Sequence, residues 1–125
     1  MPRPSSLKKL LDLAQIRSEV AARQLGELNS QEQGAEEKLR LLLGYRHDYQ
    51  VRFQEFVSTG MDHAAWRNFL AFADKLDAAI AEQRHVVANS HNRVQAGRNE
   101  WHVQQRKLKS FDTLSQRYER AATVR

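Results

Sequence analysis

Apolar side chains recur along the first half of the chain with alternating spacings of three and four residues. This is the pattern of a coiled-coil seam, in which two helices bury one stripe each. A first series advances by seven residues and is apolar or aromatic throughout: Leu7, Ala14, Ala21, Leu28, Ala35, Leu42, Tyr49 and Phe56. A second series is apolar at four of its seven positions: Leu11, Ser18, Leu25, Glu32, Leu39, Arg46 and Phe53. Pro2 and Pro4 precede Ser6, a predicted N-cap, so we expect a helix over about residues 7–57.

The pattern is interrupted around Gly60, where the sequence predicts a turn over residues 58–63. Gly60 suits a helix C-cap, and Asp62 can cap the next helix. A new heptad then runs through Trp66, Ala73, Ile80, Val87, Val94, Trp101, Leu108, Ser115 and Ala122. Its companion series is Phe69, Leu76, Gln83, Ser90, Gly97, Gln104, Phe111 and Tyr118. We predict a second helix over about residues 64–122, with Trp66 and Trp101 filling the seam. The polar middle of the companion series predicts a weaker seam there, or one left free for another contact.

Two long helices joined by a short turn must run antiparallel. We therefore predict an all-α fold, a helical hairpin in which residues 1–125 form a single coiled-coil domain. Its closed end carries the turn and many aromatic residues, and its open end carries both termini. Residues 84–125 contain nine Lys or Arg against three Asp or Glu, so the basic excess of the chain lies in this last third. A basic segment of this kind indicates an acidic partner.

The sequence offers no chemistry of the kind that enzymes use. It has no cysteine and no phosphate-binding glycine motif. No two histidines have the spacing that would put two metal ligands on one helix face: His47, His63, His85, His91 and His102. We expect no catalytic residues, no metal, no cofactor and no small-molecule substrate. The absence of a signal-peptide core and of about 20 consecutive apolar residues predicts a soluble, cytoplasmic protein without membrane insertion.

Several large apolar residues lie off both seams: Leu10, Leu13, Ile16, Leu41, Leu43, Tyr45, Leu70, Phe72 and Leu114. Two helices cannot bury apolar residues on two faces each, and grouped exposed apolar residues indicate partners. A self-associating scaffold, or a wider seam, is an alternative. A nucleic-acid-binding coiled coil is another, but the aromatic residues of the basic arm lie on the seam, which makes nucleic acid an unexpected partner.

Specific residues resemble the FliJ family, small cytoplasmic proteins of the bacterial flagellar type III export apparatus. The matching stretches include Leu10 to Ala14, Ala21 to Glu27, Ala35 to Leu39, Trp66 to Asn68, and Lys107-Leu108. Most of the weight rests on off-seam matches, because a heptad alone does not demand them: Arg23, Gly26-Glu27, Tyr45 and Trp66-Arg67-Asn68. A virulence-type export system shares this design and is left open by the sequence.

The resemblance implies a coiled coil similar to the central stalk of rotary ATPases. Family members bind the hexameric export ATPase FliI by inserting the open end into its ring. They also bind the cytoplasmic domain of the export gate protein FlhA and engage export chaperones. The implied function is to promote assembly of the ATPase ring and to couple it to the gate. The implied location is cytoplasmic, peripheral at the cytoplasmic face of the inner membrane.

Two sets of residues are expected to bind these partners. The resemblance carries the gate-binding patch over to Leu42, Tyr45, Tyr49, Phe72, Leu76 and Ala79, with Lys38 and Gln83 departing from the family pattern at its edges. Charge and exposed apolar residues assign ATPase contact to Leu10, Leu13, Arg17, Arg106, Lys109, Leu114 and Arg117. The chain ends at Arg125, sooner than is usual in the family, and a truncated C-terminus would leave the ATPase-binding end incomplete.

Overall fold

The computed structural model describes residues 4–123, and within them the chain forms two long α-helices. Helix α1 covers Pro4–Thr59 and helix α2 covers His63–Thr123. The two helices pack against each other and no strand is present among these residues, which confirms the predicted all-α hairpin. The expectations for Pro2 and for the C-terminal Arg125 lie outside the described residues.

The predicted start of the first helix is wrong by one turn. Helix α1 begins at Pro4, so Ser6 lies inside the helix instead of capping it. Proline is well tolerated in the first helical turn, because the amide hydrogen that it lacks would have no partner there, and its fixed φ suits a helix.

The turn is shorter than predicted, but its two key residues act as expected. Gly60 has a positive φ of 88°, the left-handed conformation of a helix C-cap glycine. Asp62 caps α2, because its Oδ1 accepts a hydrogen bond of 2.7 Å from the amide of Ala65. Ser58 and Thr59 stay helical, and their hydroxyls donate to the carbonyl of Glu55 at 2.7 and 3.2 Å.

The chain divides into two compact units, and each contains a segment of both helices. We call Ser30–Asn92 the turn unit. We call Met1–Asn29 together with Arg93–Arg125 the terminal unit, of which residues 4–29 and 93–123 are described. The candidate binding residues fall into these two units as separate groups.

In the turn unit, the seam is closed by apolar and polar side chains together. Leu76 and Ile80 are buried, and so are Gln83 and Ser90. The side-chain amide of Gln83 donates to the carbonyl of Ala35 at 2.9 Å, and the Ser90 hydroxyl donates to the carbonyl of Val87 at 2.8 Å. Of the two alternatives for the polar seam positions, a weaker seam or one left free for another contact, the second is wrong at Gln83 and Ser90, because both are buried and hydrogen-bonded.

In the terminal unit, small residues bring the two helices close together. Ala14 and Ala21 are buried on α1, and Val94 is buried on α2. The hydroxyl of Ser18 accepts a hydrogen bond of 2.8 Å from Nε2 of Gln105. At Gly97 a Cβ atom would lie only 2.7 Å from Cδ1 of Leu28, so glycine makes room for that leucine.

No helix within residues 4–123 combines the length and the apolar character that a membrane crossing requires.

The close approach at Gly97 can be tested with a matched pair of substitutions. Gly97→Leu should lower the free energy of unfolding by about 1–3 kcal/mol, because the new side chain overpacks the seam. Gly34→Leu should instead raise it by about 0.5–1 kcal/mol, because nothing lies within 4 Å of that site and leucine is the better helix former. Urea unfolding monitored by circular dichroism measures both. Equal effects of the two substitutions would contradict the role given to Gly97.

Candidate functional site

An aromatic cluster joins α1 to α2 in the turn unit. The ring of Tyr49 stacks on Phe69, with a centroid distance of 4.0 Å, and contacts Phe72 at 4.7 Å. Phe53 lies against both Trp66, at 5.1 Å, and Phe69, at 4.9 Å. The hydroxyl of Tyr49 also donates to the carbonyl of Phe69 at 3.4 Å. Aromatic pairs at such distances add stability beyond the area that they bury. This cluster therefore stabilises the packing of α1 against α2 near the turn.

Part of this aromatic surface faces solvent. Phe72 is 51% exposed and Phe56 is 52% exposed. Both border an open hollow of about 550 Å³ beside the turn, together with Tyr49, Gly60, Met61, Asp62, Ala65, Asn68 and Phe69. The seam series predicted that Phe56 and Trp66 would be covered. They are exposed because the helices end a few residues away, at Thr59 and His63, and no further turn of the opposite helix covers them.

The six residues expected at the export gate occupy three kinds of position. Tyr45, Phe72 and Ala79 are exposed, whereas Leu42 and Tyr49 are partly buried. Leu76 is only 8% exposed, because it lies in the seam. Of the three less exposed residues, Tyr49 contacts the exposed ring of Phe72 directly.

One ion pair links the two helices in the same unit. Nε of Arg46 lies 3.0 Å from Oδ1 of Asp77, with both side chains about half exposed. Arg46 belongs to a seam series, but its long side chain reaches out of the seam to the carboxylate. An exposed pair of this kind contributes little to stability.

The seven residues expected at the ATPase lie in the terminal unit and divide between two hollows. Leu10, Leu13 and Arg17 border a hollow of about 180 Å³ between the helices, which Ala14, Gln104, Lys107 and Phe111 complete. Arg106, Lys109, Leu114 and Arg117 border a wider surface hollow of about 470 Å³, with Ser110 and Thr113. The structure thus brings together the members of each group.

Charge sets these two hollows apart from the aromatic surface of the turn unit. Leu114 is 39% exposed and is flanked along α2 by Lys109 and Arg117. Within residues 4–123 no carboxylate forms an ion pair with Arg106, Lys109 or Arg117. An apolar side chain surrounded by cations without ion-pair partners is suited to an acidic, partly apolar partner.

Sequence reasoning missed Gln104, Lys107 and Phe111 as neighbours of Leu10 and Leu13. The one sequence feature that could have indicated this hollow is the polar residue Gln104 at a seam position, where an apolar residue is expected. Recognising the hollow requires the register between two segments about ninety residues apart, which the heptad pattern alone does not give.

Metal-ligating side chains do not gather anywhere in the described part of the chain: no group of three or more His, Asp or Glu residues there could hold a metal ion. In the turn unit, one histidine lies beside a carboxylate of the other helix, with Nδ1 of His91 3.2 Å from Oε2 of Glu32.

Comparison with known proteins gives matches along almost the whole chain. The family profile described as flagellar FliJ protein matches residues 3–124. A flagellar FliJ protein of Escherichia coli (strain K12) is 32% identical over 124 residues, which are 99% of this chain and 84% of that protein. A flagellar FliJ protein of Salmonella typhi is 30% identical with the same coverage. The similarity covers the segments of both units.

The division between supporting and exposed aromatic residues can be tested by stability. Tyr49→Ala should lower the free energy of unfolding by about 1–3 kcal/mol, because it removes the ring that stacks on Phe69. Tyr45→Ala, at a side chain that is 60% exposed, should change it by less than about 0.5 kcal/mol. Chemical unfolding of both variants measures the difference. A larger loss for Tyr45→Ala than for Tyr49→Ala would refute this assignment.

Proposed function

Because this chain belongs to the flagellar FliJ protein family, we propose that it couples two components of the flagellar type III export apparatus by binding both. The chain is a flagellar export-associated protein and not an enzyme. In the proposed function, the terminal unit contacts the hexameric export ATPase FliI and the turn unit contacts the cytoplasmic domain of the gate protein FlhA. Export chaperones are further proposed partners. The proposed location is the cytoplasm, at the cytoplasmic face of the inner membrane.

The observation that carries this proposal is that the exposed apolar residues form two groups of different chemistry. The group in the turn unit includes the exposed aromatic residues, among them Tyr45 and Phe72, together with aliphatic residues such as Val51 and Leu70. The group in the terminal unit is aliphatic and consists of Leu10, Leu13, Ile16 and Leu114, of which the three leucines border hollows that also contain Arg and Lys. A protein that binds two different partners needs two such surfaces, whereas a helical pair that acts only as a spacer needs neither.

Charge supports the assignment of the terminal unit to the ATPase. Residues 93–123 contain seven Lys or Arg and three Asp or Glu. Cations on the rim of an interface speed association with an acidic partner, and apolar residues at its centre supply most of the affinity. Leu114 between Lys109 and Arg117 has this arrangement, and so do Leu10 and Leu13 beside Arg17.

Preorganisation supports the assignment of the turn unit to the gate. Phe72 contacts Tyr49, which stacks in turn on Phe69. A ring held in this way loses little side-chain freedom when a partner covers it, so more of the contact free energy contributes to affinity. Tyrosine is also among the residues most enriched at the energetic centres of interfaces, which favours Tyr45 as an anchor.

The ATPase contact is tested by charge reversal. The double variant Lys109→Glu and Arg117→Glu should bind FliI at least about tenfold more weakly, because it sets carboxylates against an acidic partner. It should also lose stimulation of ATP hydrolysis and of hexamer formation, measured by phosphate release and light scattering.

The matched control for this test is Arg40→Glu with Arg84→Glu, which changes the net charge equally within the turn unit. The control should bind and stimulate FliI as the unaltered chain does. If both double variants lose binding equally, net charge decides the affinity and the assigned surface has no special role.

The gate contact is tested by truncating exposed aromatic rings. Tyr45→Ala with Phe72→Ala should weaken binding to the FlhA cytoplasmic domain by about tenfold or more, because both anchors are lost. Calorimetry measures the affinity, and FliI binding should stay unchanged. The control, Val51→Ala with Leu70→Ala, removes two other exposed apolar side chains of the same unit. Equal loss of affinity in the control would argue against this patch.

A further inference from the structure

The outer face of α2 in the terminal unit carries five cations at regular intervals. Eight, three, eight and three residues separate them in turn, and all five are exposed: Arg98, Arg106, Lys109, Arg117 and Arg120. Eleven residues make almost three complete helical turns, so Arg98, Lys109 and Arg120 point in nearly the same direction, and the other two lie beside them. We call these five residues the cationic row. It is nearly straight and about 33 Å long, at about 1.5 Å per residue.

The cationic row has no carboxylate beside it. Three carboxylates occur between its ends, and the helical period places all of them outside the arc of about 100° that holds the cations: Glu100, Asp112 and Glu119. The other residues of this arc are polar and not acidic: Asn99, His102, Thr113 and Gln116. Within residues 4–123 no member of the row forms an ion pair. The row is therefore a linear array of positive charge that its own helix face does not neutralise.

Other cations of the same unit have acidic neighbours. Lys8 precedes Asp12 by four residues, and Arg23 lies four residues from both Glu19 and Glu27. Residues at this spacing are neighbours on a helix surface, where opposite charges attract each other. The separation of cations from carboxylates is thus a property of the outer face of α2 and not of the terminal unit as a whole.

We propose that the cationic row lies along the surface of an anionic lipid bilayer and binds its phosphate-bearing headgroups. The inference goes beyond the proposed function, because it requires no protein of the export apparatus. A straight row can contact a flat surface at all five cations at once, and each cation near an anionic bilayer adds to the attraction. Arg and Lys bind phosphate oxygens strongly, and the amides and hydroxyl within the arc supply further donors.

One apolar side chain at the edge of the row favours lipid over nucleic acid. Leu114 is 39% exposed and borders a hollow with Arg106, Lys109 and Arg117. At a bilayer surface such a side chain can enter the boundary between headgroups and acyl chains while the cations stay at the headgroups. Against a nucleic acid it would meet phosphates, and the arc of the row contains no aromatic residue on which a base could stack.

The ends of the row separate lipid binding from the ATPase contact. Arg106, Lys109 and Arg117 also belong to the surface assigned to FliI, whereas Arg98 and Arg120 lie outside that set. The proposed function leaves these two arginines without a role. Their substitution therefore tests the lipid contact and spares the residues assigned to FliI.

The first experiment sediments the full chain with vesicles. Vesicles of phosphatidylcholine that contain about one third phosphatidylglycerol should bind the chain, and vesicles of phosphatidylcholine alone should not. Binding should weaken at least about tenfold when the salt concentration rises from about 50 to about 300 mM, because salt screens exposed charges. If the unaltered chain ignores the anionic vesicles at low salt, the inference is overturned.

The second experiment compares two double variants of equal net charge. Arg98→Gln with Arg120→Gln should weaken binding to the anionic vesicles by about tenfold, because two cations of the row are lost. Lys8→Gln with Arg23→Gln is the control, since it removes two exposed cations of the same unit outside the row. The control should bind the vesicles as the unaltered chain does. Equal losses in both variants would show that net charge alone attracts the lipid, and would refute the role of the row.

Two further probes decide between the lipid and other acidic partners. A DNA duplex of about 20 base pairs, which is similar in charge density to a membrane-bound partner, should bind more weakly than the anionic vesicles. Tighter binding of the duplex, lost in Arg98→Gln with Arg120→Gln, would assign the row to nucleic acid instead. The same variant should bind FliI as tightly as the unaltered chain. If it loses FliI and keeps the vesicles, the whole row belongs to the ATPase contact and the lipid inference fails, while the proposed function stands.

Discussion

The packing of α1 against α2 along one narrow seam is the interaction on which the other features of this protein depend. Neither helix can bury its apolar stripe alone, and long helices gain most of their stability from such contacts. Small residues set the distance between the helices in the terminal unit, most clearly Gly97, whose missing Cβ makes room for Leu28. A thin seam of this kind covers one face of each helix and leaves large apolar residues on other faces exposed.

The exposed apolar residues have different neighbours in the two units. In the turn unit, stacked rings of Tyr49 and Phe69 support Phe72 from below. In the terminal unit, Leu114 lies between Lys109 and Arg117 and is open to solvent. The exposed apolar residues of the turn unit therefore include aromatic rings, whereas those of the terminal unit are aliphatic and lie near basic side chains. The residue types at these surfaces are given by the sequence, and the packing of the two helices determines which of them are exposed.

The polar side chains of the seam differ in whether they have hydrogen-bond partners. Gln83 and Ser90 are buried and hydrogen-bonded to backbone carbonyls, and Ser18 accepts from Gln105. Bonds between the helices, such as those of Gln83 and Ser18, add directional constraints to a seam that apolar contacts alone would fix less well. Gln104 is different, because its buried Oε1 has no hydrogen-bond partner among the described residues.

The sequence by itself determined the two helices, the turn at Gly60, the cap at Asp62 and the flagellar family. These features depend on local chemistry or on a seven-residue period, and both can be recognised in a single sequence. Only the tertiary structure decided that Leu76 is buried in the seam, that Phe56 is exposed beside the turn, and that Leu10 and Gln104 border the same hollow. A period shows which face of a helix meets its neighbour. The exposure of a side chain depends on where the neighbouring helix ends and which residues stand opposite, and these are set by the register between distant segments.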